Sequence, residues 1–173
     1  MRLRSNPFRR NRRAGVRRGH GVVVARGVAL EVAPGGELVL GDGCLVGARS
    51  RIVVAPGSRV ELGAGVVLGE RCTLVAHSGV RIGAGAQLGH GAVIVDFDHV
   101  FEDVERPIRA QPLESTPVTV GAGAVIGLGA SLLRGVNVGA RAIVDPRAVV
   151  TRDVPAGGHV GGVPAKPVSA TGV

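Results

Sequence analysis

Aliphatic residues recur at every sixth position along most of the chain. From Val120 the series runs Val120, Ile126, Leu132, Val138, Val144 and Val150 without a slip. Earlier stretches keep the same beat: Leu40, Val46, Ile52; then Leu62, Leu68, Leu74; then Ile82, Leu88, Ile94. A glycine often follows the aliphatic residue, as at Gly41, Gly63 and Gly121, and a small residue often stands four places after it, as at Cys44, Ala86 and Ala124. Three hexapeptides make one turn of a triangular coil, each side a short strand and each corner a tight bend. Successive coils then stack in parallel register about 4.8 Å apart. The aliphatic side chain points into the prism and the small one fits beside it. A helix is excluded, because the apolar positions lack i, i+3, i+4 spacing. Each of the 29 glycines would also weaken a helix by about 1 kcal/mol. The pattern predicts an all-β fold, a parallel β-helix.

A longer self-similarity marks one corner of the coil. Leu30-Glu-Val-Ala-Pro-Gly-Gly-Glu-Leu-Val-Leu40 matches Ile52-Val-Val-Ala-Pro-Gly-Ser-Arg-Val-Glu-Leu62, and a shortened copy runs from Leu74 to Ile82. The fourth copy begins at Ile94-Val95 and resumes only at Val118-Thr119-Val120. Residues 96–117 therefore replace a corner with a long loop, a feature that in a compact domain is usually functional.

Charge divides the chain differently. Residues 1–20 hold eight arginines and no acid, whereas the rest carries 13 basic and 13 acidic residues. This gives an Arg-rich arm at 1–20, a β-helix domain at 21–168 and a short tail at 169–173. The arm suits an anionic membrane surface, with salt-sensitive contacts. It has no interleaved aromatics for base stacking, so nucleic acid is not expected as a partner. Cys44 and Cys72 take inward small positions on different sides of the coil, which argues against a disulfide and for a cytoplasmic location. The longest uncharged stretch, 115–133, is broken by Pro117 and glycines and makes a poor membrane span. No apolar segment with a cleavage site follows the basic start, so no secretory signal is expected.

The inserted loop opens with a histidine. His99 follows the last strand before the loop and is flanked by Asp96 and Asp98. A carboxylate beside an imidazole can fix its tautomer and raise its basicity, which suits a general base working near neutral pH. His20, His77, His90 and His159 are expected at the surface. No two histidines have close ligand spacing and no Cys cluster exists, so no metal is expected.

These residues resemble a family. Asp96-Phe97-Asp98-His99, Arg106-Pro107-Ile108 and Gln111-Pro112 are similar to the catalytic loop of hexapeptide-repeat acyltransferases, in particular the polysaccharide and sugar O-acetyltransferases of the colanic acid and nodulation group. Val149-Val150-Thr151-Arg152-Asp153-Val154-Pro155 and Gly162-Val163-Pro164-Ala165-Lys166-Pro167 continue the likeness, which covers about residues 28–168. The chain departs from the pattern at Val125, at Asp145-Pro146-Arg147 and at Val163.

The resemblance implies a left-handed β-helix assembled as a homotrimer, with acetyl-CoA as acyl donor in the groove between neighbouring prisms. It implies His99 as general base toward a sugar or glycan hydroxyl, with Asp98 orienting it. Backbone N–H groups at Gly127-Leu128 would face the developing oxyanion. Thr151, Arg152 and Lys166 would contact the coenzyme, and Asp96, Phe97 and Gln111 the acceptor. The alternatives are a same-fold enzyme acting on an amine, serine or antibiotic, and a non-enzymatic or metal-binding β-helix. The arm would then hold the enzyme at the inner face of a membrane.

Overall fold

A computed structural model describes residues 15–99, 105 and 112–168. These contain strands and turns and no helix, so none of them forms a helix able to cross a membrane. The strands lie on three faces of a prism of about six turns. The first face stacks Val16–Arg18, Glu37–Leu40, Arg59–Leu62, Gly79–Ile82, Val118–Val120 and Asn137–Val138. The second runs from Val23–Val24 through Leu45–Val46, Val67–Leu68, Gln87–Leu88, Val125–Ile126 and Ile143–Val144 to His159–Gly161, with Lys166–Pro167 antiparallel at its end. The third runs from Ala29–Val32 to Val149–Val150.

The register explains the periodicity. Leu40 pairs with Leu62, Leu62 with Ile82, and Ile82 with Val120, so each aliphatic position sits on its own copy in the next coil. These side chains, with the small residues Cys44, Ala86 and Ala124, are almost wholly buried. Each aliphatic residue so buried contributes roughly 1.5–3 kcal/mol. The widened corner and its insertion lie between the third and first faces, where Leu30, Ile52, Leu74 and Ile94 align.

Val16–Arg18, inside the segment read as an arm, forms the first strand and pairs with Leu38–Leu40. The basic segment therefore enters the prism before residue 20; residues 1–14 and the tail at 169–173 lie outside the described residues. Cys44 and Cys72 are free and buried, their thiols donating to the Gly63 and Gly89 carbonyls at 3.0 and 3.2 Å. Burial pushes both thiols above the ordinary cysteine range.

Candidate active site

The inserted loop is anchored by its first residue. Asp96 ends the third-face strand Val93–Val95 and is fully buried. Its carboxylate accepts the backbone N–H groups of His77 (2.8 Å), Ser78 (2.7 Å) and Gly79 (2.6 Å), the corner of the preceding coil. Earlier coils turn this corner with Ala-Pro-Gly; the third is shorter, and its N–H groups receive a side-chain acceptor instead. The Asp96 carbonyl also accepts the Thr116 N–H at 2.8 Å, closing the neck of the insertion. Asp96 was expected to touch the acceptor. Its burial and its three N–H partners place it inside the fold, holding the loop.

Beyond Asp96 the chain forms an antiparallel hairpin in which Phe97, Asp98 and His99 pair with Ser115, Glu114 and Leu113. Side chains alternate across such a ribbon. Asp98 and Glu114 share one side, where Arg134 binds both: Nε to Asp98 Oδ2 at 3.0 Å and Nη1 to Glu114 Oε2 at 2.9 Å. Asp98 is thus engaged by Arg134, and among the described residues its carboxylate accepts no hydrogen bond from the His99 ring. On the other side the Phe97 ring packs on His77, centroids 4.5 Å apart, and meets His99 edge-on at 6.1 Å. Ser78 Oγ donates to Ser115 Oγ across the same neck. His99 ends this row of three rings with its side chain exposed. Gln111 lies outside the described residues.

Gly127 and Leu128 occupy a different corner, between the second and third faces. The Gly127 N–H donates to the Val144 carbonyl at 2.8 Å and is used within the prism. A side chain at Gly127 would strike the Pro146 backbone nitrogen at 2.4 Å, so the close stacking of coils here requires glycine. Leu128 is 48% exposed, and its carbonyl accepts the Arg147 N–H. Of the two residues, Leu128 keeps a backbone N–H that no carbonyl accepts among the described residues. Thr151 and Arg152 are exposed on the last turn of the corner that carries the hairpin, above Arg134. Lys166 pairs with Gly161 at the far end of the second face. One chain therefore gathers His99, Arg134, Thr151 and Arg152 on one corner and leaves Leu128 on another.

Three contributors escape sequence reasoning: His77, Arg134 and the Asp145–His159 pair (2.7 Å) that ties the strand His159–Gly161 to the coil before it. His77 and Arg134 fall at the loop's own corner in the coils before and after it, which the six-residue register could have shown. Among the described residues no group of three His, Cys, Asp or Glu side chains is arranged to hold a metal ion.

The repeat itself is matched by a family model, the hexapeptide repeat of succinyl-transferase, over residues 37–74, 60–95 and 117–152, more than half of the chain. The chain belongs to the hexapeptide-repeat transferase family. The family match stops at the Asp96 hairpin and resumes after it. Among curated relatives, the Mycobacterium tuberculosis protein named "Probable acetyltransferase Rv3034c" is 37% identical over 75 residues, 43% of this chain and 25% of its own length. A Staphylococcus aureus 2,3,4,5-tetrahydropyridine-2,6-dicarboxylate N-acetyltransferase is 48% identical over 56 residues, 32% of this chain and 23% of its own length. The chain thus matches about a quarter of the length of these curated relatives.

Among solved structures, a mutant of AntD, an N-acyltransferase from Bacillus cereus in complex with dTDP and coenzyme A, superposes with a TM-score of 0.79 at 12% identity. That match covers 95% of this chain and 89% of AntD. PerB from Caulobacter crescentus, in complex with CoA and GDP-perosamine, gives 0.60 at 26% identity over 86% of this chain and 58% of PerB. The acetyltransferase domain of PglB from Neisseria gonorrhoeae gives 0.62 at 22% identity, covering 85% and 57%. The hexapeptide-repeat prism is a left-handed parallel β-helix.

Proposed function

We propose that this protein transfers an acyl group from an acyl-coenzyme A, acetyl-CoA in the first instance, to a sugar, with His99 as general base. The observation that carries the reading is the mounting of His99. It stands exposed at the edge of a hairpin fixed by Asp96 below and Arg134 above, in a chain of the hexapeptide-repeat transferase family. His99 takes the acceptor's proton as the acceptor attacks the thioester carbonyl. The C–S bond breaks, and the proton passes from His99 to the departing thiolate, which leaves as the coenzyme thiol. A general base of this kind is worth typically 10²–10⁴-fold. The Leu128 N–H faces the negative charge that builds on the carbonyl oxygen, an interaction worth several kcal/mol.

His99 and Leu128 stand on separate corners of one prism, so a site using both draws them from two chains. A homotrimer supplies that arrangement. The second face supports such packing, because Val23, Leu45 and Val67, and beyond Gln87 Val125 and Ile143, stack in register with exposed side chains. Exposed Thr151 and Arg152 above the hairpin, and exposed Lys166, suit the coenzyme's polar and phosphate groups.

The acceptor atom is read first as a hydroxyl. A second reading, a sugar amine, is favoured by the solved and curated relatives: AntD and the Staphylococcus enzyme are named as N-acyltransferases, and PerB was crystallised with GDP-perosamine. Thiol release from acetyl-CoA, measured against matched sugars bearing hydroxyl or amino groups, separates the two. The reading as an acyltransferase fails if no acceptor accelerates thiol release, and the role of His99 as its base fails if His99→Ala turns over as fast as the native chain.

A further inference from the structure

The corner between the second and third faces carries positive charge that the fold does not use. In successive coils its left-handed position holds Gly27, Arg49, Arg71, Gly91, Gly129 and Arg147, with φ of 76°, 60°, 57°, 71°, 65° and 61°. Backbone hydrogen bonds make these one column: Arg49 to Arg26, Arg71 to Ala48, Gly91 to Glu70, Gly129 to His90 and Arg147 to Leu128. Arg49 and Arg71 are therefore one coil apart, about 5 Å, and Arg71 lies two coils below Leu128.

Among the described residues, every non-glycine in the left-handed region is an arginine: Arg49, Arg71, Arg141 and Arg147. A Cβ is crowded in that conformation, and glycine fills the equivalent place in three sibling coils. Backbone strain retained where glycine would serve points to a use for the side chain. Arginines on the faces are different. Arg51 binds Glu31, Arg59 binds Glu37 and Glu61, and Arg134 binds Asp98 and Glu114. Arg49 and Arg71 make no ion pair or side-chain hydrogen bond among the described residues. Glu70, the carboxylate of that corner, forms no ion pair with Arg71, and its backbone N–H is taken by His90 Nδ1 at 3.0 Å.

We infer that Arg49 and Arg71 form a binding site for the diphosphate group of a ligand that reacts at the Leu128 corner. Guanidinium forks bind phosphate oxygens in bidentate fashion, and two of them one coil apart bracket two linked phosphoryl groups. A diphosphate held between them lies two to three coils, about 10–14 Å, below Leu128, a span for the two guanidinium arms and a sugar attached to the diphosphate together. Arg26, exposed on the coil below, extends the same field. The placement relative to Leu128 rests on the acyltransferase reading; the anion site itself does not.

The test is calorimetric titration of the full chain with inorganic pyrophosphate at low salt, which needs no turnover. The native chain is expected to bind saturably, and the double variant Arg49→Gly/Arg71→Gly at least tenfold more weakly. Arg141→Gly relieves the same strain on another corner, and it is expected to leave pyrophosphate affinity unchanged. Both variants are expected to melt at higher temperature than the native chain, which excludes misfolding as the cause of lost binding. Parallel titrations with CoA and with a nucleoside diphosphate name the source, since only the true ligand's affinity falls in the double variant. The inference is overturned if pyrophosphate does not saturate, if the double variant binds it as the native chain does, or if Arg141→Gly weakens it equally. Loss of binding to phosphatidylglycerol vesicles alone would assign the ridge to a lipid surface and overturn it too. Acyl transfer without pyrophosphate binding sinks this inference and leaves the enzymatic reading standing.

Discussion

Asp96 Oδ2 accepts the Gly79 N–H at 2.6 Å, joining the start of the hairpin to the corner of the coil beneath it. With the His77 and Ser78 N–H groups also on this carboxylate, Asp96→Ala leaves three donors without their acceptor. Hydrogen bonds to a charged group are worth about 1.5–3 kcal/mol each, with incomplete additivity. The expected destabilisation is roughly 3 kcal/mol or more, read as a lower urea midpoint. Faster amide exchange at residues 77–79 locates the effect; unchanged exchange there contradicts the anchoring role.

Arg134 acts on the other side of the hairpin. Exposed ion pairs contribute little to stability, about 0–1 kcal/mol, so Arg134→Ala is expected to shift melting only slightly. Its effect belongs to turnover, because the bond to Asp98 fixes the strand that carries His99. The expected outcome is a kcat about tenfold lower, in line with the loss from a slightly displaced catalytic group, with the acetyl-CoA dissociation constant unchanged. Loss of coenzyme affinity instead would place Arg134 in the donor site.

Much of this was legible in the sequence, because the rule that builds a β-helix is local. An inward aliphatic residue every six positions and a small partner four later yield strands, faces and corners, and the loop at 96–117 shows as a break in that rule. The contacts of the loop are not local. Asp96 reaches back to residues 77–79 and Asp98 forward to Arg134, which adjacency in sequence cannot reveal; neighbouring Asp96 and Asp98 suggested partners for His99 instead. The same limit hid the arginine column, since Arg49, Arg71 and Arg147 look like ordinary surface charges until their φ angles and stacking are known.

The cysteines set a pH dependence. Burial raises both thiols in the folded chain, whereas unfolded cysteine ionises near pH 8.5. Above that pH the unfolded state releases thiol protons that the folded state retains, so stability falls as pH rises. It is undiminished below. Urea midpoints between pH 7 and 10 for the native chain and for Cys44→Ala/Cys72→Ala should diverge in slope only above about pH 8.5. Both thiols should resist alkylation until the chain unfolds.

The basic arm and the first strand are separable. Removing residues 1–14 is expected to leave the melting transition within a few degrees of the native value. Removing residues 1–20 deletes the strand Val16–Arg18 and uncovers Leu38–Leu40, lowering the transition further. If the arm serves an anionic membrane, the shorter truncation also abolishes salt-sensitive binding to phosphatidylglycerol vesicles. Retained binding assigns that attraction to the prism.

Titration of acetyl-CoA into the native chain and into His99→Ala, followed by turnover of both, decides whether this chain is an acyl-coenzyme A enzyme with His99 as its base. Saturable binding near one coenzyme per chain is expected in both proteins, with turnover reduced by roughly 10²–10⁴-fold in the variant alone. No coenzyme binding by the folded native chain, or undiminished turnover in His99→Ala, would contradict it.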